Sequence, residues 1–84
     1  MKVTLVGIKR VDYFSKKNNR QVLGWNLYVT HDTTDPQIEG LVAEDFYCKD
    51  DKTPMVNCLK TAIGEEIDVY FDRWGNVDEA SAIA

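Results

Sequence analysis

The stretch DDKTPMVNCLKTAIG (residues 50–64) decides the fold, because its apolar residues repeat with the period of a helix. Thr53 is predicted to be the N-cap, Pro54 occupies the first helical position, and Gly64 ends the segment. Three apolar residues between them fall on one helical face: Val56, Leu59 and Ile63. We therefore predict one short amphipathic helix in a chain that otherwise shows strand patterns.

Three strands are predicted before this helix, over residues 2–13, 21–30 and 38–48. In the first, Gly7 indicates a bulge or bend, and in the second, Gly24 indicates another. The residues of the second that alternate inward are Leu23, Trp25, Leu27 and Val29. The turn SKKNNRQ (residues 15–21) joins these two strands, with Asn18 and Asn19 tolerant of positive φ. The third segment is less regular, and its glutamates and alanine could equally begin a helix.

Two further strands are predicted after the helix, joined by a tight turn around Gly75. Alternation in EEIDVYFDR (residues 65–73) places Ile67, Val69 and Phe71 inward, and VDEASAIA (residues 77–84) returns as a short strand or frayed tail. The order predicts a mostly β, five-stranded OB-like antiparallel barrel with one short helix between strands 3 and 4. Residues 1–84 form a single domain. An SH3-like barrel is the alternative, but it usually lacks such a helix at this point.

Charge is distributed unevenly along the chain, whose net charge is −4. Residues 1–30 carry six cations and one carboxylate, a net +5, whereas residues 31–84 carry four cations and thirteen carboxylates, a net −9. A basic region in an acidic protein attracts polyanions to one place and repels them elsewhere.

Several classes of protein are disfavoured by the sequence. No apolar run approaches the ~20 residues needed to span a bilayer, and the opening MKVTLVGIKR lacks a leader pattern, so we expect a cytoplasmic protein with no membrane association. Cys48 and Cys58 are predicted to be buried thiols, and His31 lies far from both, so neither a metal nor a cofactor is expected. Ser15 and Ser81 have no histidine base in a supporting motif, and we predict no enzyme activity.

Nucleic-acid binding fits the basic region best, because phosphates attract cations and bases stack on aromatic rings. The candidate cations are Lys9, Arg10, Lys16, Lys17, Arg20 and Arg73. The candidate stacking rings are Tyr13, Tyr28 and Trp74. Phe14 is a further ring beside the basic turn, while Tyr70 lies outward between Asp68 and Asp72 and is a weaker candidate. For Tyr28 and Tyr70, ordinary packing on the sheet surface is the alternative.

Two segments of the chain resemble those of a known family. They are the opening MKVTLVGIKRVDYFSKKNNRQVLGWNL (residues 1–27) and the closing IGEEIDVYFDRWGNVDEA (residues 63–80). The chain resembles the small OB-fold single-stranded-DNA-binding proteins of bacteriophages and conjugative elements. The resemblance implies cooperative, mostly sequence-independent coverage of single-stranded DNA, often by a homodimer. The sequence itself does not distinguish DNA from RNA as the bound strand. It also implies that Lys16, Lys17 and Arg20 meet the phosphates.

An acidic interaction or inhibitor protein of a phage or mobile element is the alternative function. Its carboxylates would take the place of DNA phosphates on a protein partner. The array would comprise Asp32, Asp35, Glu39, Asp68, Asp72, Asp78 and Glu79.

Overall fold

A computed structural model describes residues 1–83 and contains one sheet of five antiparallel strands. The strands are β1 (Lys2–Ser15), β2 (Arg20–His31), β3 (Val42–Lys49), β4 (Glu66–Phe71) and β5 (Val77–Ala82). They lie side by side in the order β3-β2-β1-β4-β5. The predicted fold class, five antiparallel strands with one short helix between strands 3 and 4, is confirmed. The third strand begins at Val42 rather than at residue 38.

The sheet is not closed into a barrel. Within residues 1–83, β3 and β5 are the outer strands and share no backbone ladder. The rings of Phe46 in β3 and Phe71 in β4 meet edge to face, with their centroids 4.9 Å apart. The prediction that Phe71 points into the core is wrong, since this side chain is 39% exposed. It is the last residue of its strand and lies where the curled sheet stays open.

Helix α1 (Thr53–Leu59) lies between two 3-10 turns and contributes Val56 and Leu59 to the core. The predictions that Thr53 is the N-cap and that Pro54 is the first helical residue are both wrong by one position, because the helix begins at Thr53 and Lys52 precedes it. The Thr53 hydroxyl instead donates to the carbonyl of Asp50 over 2.6 Å.

The end of the helical segment also differs in part from the prediction. The α-helix ends at Leu59 and a 3-10 turn follows, so Ile63 is exposed and Ala62 is the buried residue. Gly64 has a φ of +93° and ends the segment as predicted. Within residues 1–83 no helix is long and apolar enough to cross a membrane.

The core is a single cluster that joins the sheet to α1. Its fully buried members are Val3, Leu5, Leu27, Val29, Cys48, Val56, Leu59, Ala62, Ile67, Val69 and Val77. Trp25 packs against this cluster as predicted, although only partly buried, whereas the prediction that Leu23 points inward is wrong, since Leu23 is exposed. Burial raises the pKa of the Cys48 thiol to about 11. The prediction of two buried thiols is wrong for Cys58, which lies on the exposed side of the helix.

The two glycines of the first hairpin have different roles. The register of β1 shifts between Leu5 and Gly7, which confirms the predicted bulge and leaves Val6 exposed. At Gly24 no register shift occurs, so a bend is not the reason for this glycine. A Cβ atom there would lie 2.5 Å from the carbonyl oxygen of Cys48 and would also meet the hydroxyl of Tyr47. Gly24 is therefore required by close packing against β3.

Candidate nucleic-acid interface

Three segments meet at one end of the molecule: the start of β2, the end of β3 and the turn between β4 and β5. They enclose an open cavity of about 360 Å³, lined by residues 20–23 of β2, by Tyr47 and Lys49 of β3 and by Asn76 of the turn. The sequence-predicted Arg20 is thereby brought to the turn that carries Arg73 and Trp74.

The β4–β5 turn is held in one conformation by Asp72. Its Oδ1 accepts hydrogen bonds from the backbone N–H of Trp74 at 2.9 Å and of Asn76 at 3.0 Å. Gly75 adopts a φ of +83°, which a glycine accepts without strain. This confirms the predicted turn. Asp72, one of the two aspartates that flank Tyr70 in the sequence, therefore fixes the conformation of this turn.

Trp74 projects from this turn into solvent. Its side chain is 70% exposed, the highest value among the large hydrophobic residues that the structure describes. The guanidinium of Arg73 lies 4.9 Å from the ring centroid and the ammonium of Lys49 lies 5.3 Å from it. A cation over an indole ring is attracted to its π face, so the two charges are held beside the ring.

Further cations and aromatic rings lie on the outer face of the sheet. Residues directly opposite on paired strands share a face, and the register sets Tyr13 opposite Val22 and Lys49 opposite Gly24. The residues on this face near the cavity are Lys9, Tyr13, Arg20, Tyr47 and Lys49. Two rings and three cations therefore lie on one side of the sheet.

Tyr47 is fixed on this face by its hydroxyl. The hydroxyl donates to the carbonyl oxygen of Leu23 over 2.7 Å, so the ring crosses Gly24. Partial burial raises the pKa of this phenol, and the negative fields of Tyr13 and Asp50 raise it further. The phenol stays neutral near pH 7 and presents its ring and a hydroxyl oxygen that can accept a hydrogen bond.

The turn between β1 and β2 carries the exposed ammonium groups of Lys16 and Lys17. Asn19 has a φ of +50°, as predicted, whereas Asn18 has a negative φ and donates its N–H to the hydroxyl of Ser15. Within residues 1–83, eight lysines and arginines form no ion pair: Lys2, Lys9, Lys16, Lys17, Arg20, Lys49, Lys60 and Arg73.

Two of the predicted site residues do not contribute to this end of the molecule, because Arg10 is in an ion pair and Tyr28 lies beside a different cavity. Arg10 is opposite Trp25 on the other face, with its Nη1 atom 2.6 Å from Asp50 Oδ1. Tyr28 lies opposite Asp45 and beside a separate cavity that Glu44 also lines. A phosphate chain would be repelled there.

The carboxylates of the acidic array are also partly engaged. Asp68 binds the N-terminal ammonium at 3.2 Å and accepts the hydroxyl of Tyr70 at 3.0 Å. The Tyr70 hydrogen bond, followed by the N-terminal one, lowers the pKa of Asp68, and the same bond raises the pKa of Tyr70. Asp78 lies 3.4 Å from Lys52.

Sequence reasoning missed Tyr47, Lys49 and Asn76. Tyr47 is outward by the parity of Phe46 and Cys48 in the same strand, a signal that was available. Lys49 and Asn76 are recognisable only once the register places their strand ends together.

No protein-family model matches the chain, and neither a curated protein nor a solved structure is significantly similar to it. Its function therefore has to be inferred from its own geometry and charge.

Proposed function

We propose that the protein binds single-stranded DNA, with phosphates held by unpaired cations and bases stacked on exposed rings. The observation that carries the proposal is Trp74, which is 70% exposed between Lys49 and Arg73. An aromatic ring of this size costs free energy when it is exposed to water. A ligand with a flat face would cover it.

The cations supply the second half of the interaction. Lys16 and Lys17 lie at the hairpin tip, Arg20 and Lys49 line the cavity, and Lys49 and Arg73 lie over the Trp74 ring. A strand that neutralises Z of its phosphates releases counterions, so its affinity falls with salt with a slope of about −0.7Z. Each base stacked on a ring adds ~1–3 kcal/mol. Both contributions are independent of base sequence.

Single strands suit this surface better than duplexes. The faces of bases are covered by their neighbours in a duplex, whereas a single strand can turn individual bases towards Trp74 and Tyr13. Tyr13 is 56% exposed on the same side of the sheet as Arg20.

The acidic alternative receives less support. Asp68, Asp72 and Asp78 hold the N-terminus, the β4–β5 turn and Lys52, so these carboxylates already have internal partners. An array that imitates phosphates would present free carboxylates to its partner.

Fluorescence anisotropy of a labelled oligo-dT, titrated with the protein at low and at moderate salt, tests the proposal. We expect tight binding that weakens with salt and that unlabelled duplex DNA competes for poorly. Unlabelled oligo-rU, added as a second competitor, compares RNA with DNA. The absence of binding at low salt would contradict the proposal and direct attention to a protein partner.

A further inference from the structure

Within the described part of the chain, the first residues of β2 have no neighbouring strand on the β3 side. β3 pairs with β2 only as far as Gly24, which lies opposite Lys49, and the chain then turns into a 3-10 helix at Asp50. Residues 20–23 therefore pair with β1 on one side alone. The 360 Å³ cavity lies along this unpaired edge, because its lining residues 20–23 alternate between both faces of the sheet.

The backbone at this edge directs hydrogen-bonding N–H and C=O groups away from β1. The carbonyl of Leu23 accepts the Tyr47 hydroxyl from the β3 side, so it points away from β1. Alternate residues of a strand point their N–H and C=O groups to the same side, which directs those of Gln21 into the cavity as well. The ladder with β3 ends at Gly24, and no turn or loop hydrogen bond among the described residues involves the N–H or C=O of Gln21. Gln21 thus presents one donor and one acceptor next to each other.

The charged side chains that line the cavity along this edge are both cationic. Arg20 and Lys49 line the cavity, and no aspartate or glutamate among residues 1–83 does. The side chain of Gln21 is directed elsewhere, since its amide binds Asp12. Val22 and Leu23 supply apolar surface, and a volume of about 360 Å³ falls in the range of pockets that hold small molecules. A flat ligand with carbonyl groups fits these conditions.

We propose that this edge binds one unstacked base of the bound strand and prefers thymine to cytosine. The inference rests on the proposed function and adds a base preference at one subsite to binding that is otherwise independent of sequence. Thymine pairs its N3–H with the C=O of Gln21 and one carbonyl with the N–H of Gln21, which turns its second carbonyl towards Lys49. Cytosine can match the same two groups only with N4–H on the C=O and N3 on the N–H, which turns the other hydrogen of its amino group towards that cation.

Thymine and cytosine give the sharpest comparison, because they are close in size and stacking area. We would measure the affinity of wild-type protein for an all-dC oligonucleotide and for the same oligonucleotide with one central dT. We expect the single dT to tighten binding about fivefold to tenfold. In hydrogen exchange followed by NMR, the backbone N–H of Gln21 should become protected when the dT-containing strand binds.

Lys49→Met and Lys9→Met form a matched pair of variants, since both remove one ammonium from the same face and only Lys49 lines the cavity. Both should weaken binding to all strands, and only Lys49→Met should bring the dT preference towards unity. Equal affinity of the two oligonucleotides, or an unprotected Gln21, would overturn this inference and leave the proposed function standing. The absence of binding to either strand at low salt would overturn both.

Discussion

Each of the two tryptophans has one arginine and one lysine over its ring, but Trp25 packs against the core and Trp74 is exposed to solvent. Over Trp25 lie the guanidinium of Arg10 at 4.9 Å and the ammonium of Lys60 at 4.8 Å. Over Trp74 lie an arginine and a lysine at 4.9 and 5.3 Å. Cations beside a ring therefore do not distinguish a structural site from a binding site.

Hydrogen bonding and burial make the distinction. The indole N–H of Trp25 donates to the Thr53 hydroxyl over 3.0 Å, and the arginine above its ring is held by Asp50. That ring joins the sheet to the start of α1. Trp74 has none of these attachments among the described residues, and its cations form no ion pair there. Removing Trp25 should therefore cost stability, and removing Trp74 should cost binding.

The largest expected effect is that of Trp25→Ala on folding. Loss of a partly buried indole and of its hydrogen bond should lower the free energy of unfolding by about 3 kcal/mol, measured by urea denaturation. Trp25→Phe, which keeps an aromatic ring, is the control and should cost less. A change below about 0.5 kcal/mol for the alanine variant would remove the distinction between the two sites.

Trp74→Ala should show the reverse behaviour. The variant should bind oligo-dT more weakly by ~1–3 kcal/mol, because one stacking surface is lost, with a nearly unchanged salt slope. Its urea midpoint should match that of the wild type. Unaltered affinity, or a loss of stability equal to that of Trp25→Ala, would contradict the proposed role of this ring.

Replacing Lys16, Lys17 and Arg20 together with alanine should flatten the salt dependence of binding. Loss of three phosphate contacts at ~0.7 per contact predicts a decrease of about 2 units in slope. Lys2→Ala is a single-charge control at the other end of the sheet, where Lys2 lies opposite Asp68, and it should leave the slope unchanged. An unchanged slope in the triple variant would rule out the hairpin tip as a phosphate site.

The smallest effect concerns His31, which lies in the acidic part of the chain. The hydrogen bond to the Glu44 carboxylate, followed by that to the Asp32 carbonyl, raises the pKa of His31. A raised folded-state pKa contributes stability that is complete below about pH 6.5 and is lost as the pH rises through the folded value. The urea midpoint should fall more between about pH 6 and pH 8 in the wild type than in Glu44→Gln. Identical pH dependence in both would show that this pair does not affect folding.

The order of strands and helix follows from the sequence because alternation and helical spacing are local properties. Gly7, Gly64 and Gly75 were assigned correctly for the same reason, since each marks a bulge, a helical end or a turn in its own segment. Phe71 was misplaced because its burial depends on whether the sheet closes, which is decided by contacts between distant strands. Ile63 was misplaced because the α-helix ends one turn early.

The candidate site was predicted only in its local parts. The basic turn and Trp74 are visible as single segments, but the lysine at the end of β3 reaches Trp74 only through the folded arrangement of strands. Arg10 and Tyr28 were included because parity or charge alone cannot show that Asp50 binds one and that Asp45 lies opposite the other. Register, rather than composition, separates them from the site.

The most direct test of the central claim uses the two tryptophans as separate reporters. Trp25→Phe leaves Trp74 as the single tryptophan, and Trp74→Phe leaves Trp25. Titration of each variant with oligo-dT should quench the fluorescence of the Trp74 reporter in a saturable and salt-reversible way, while the Trp25 reporter changes little. Absence of quenching in the Trp25→Phe variant, or equal quenching in both variants, would contradict the account.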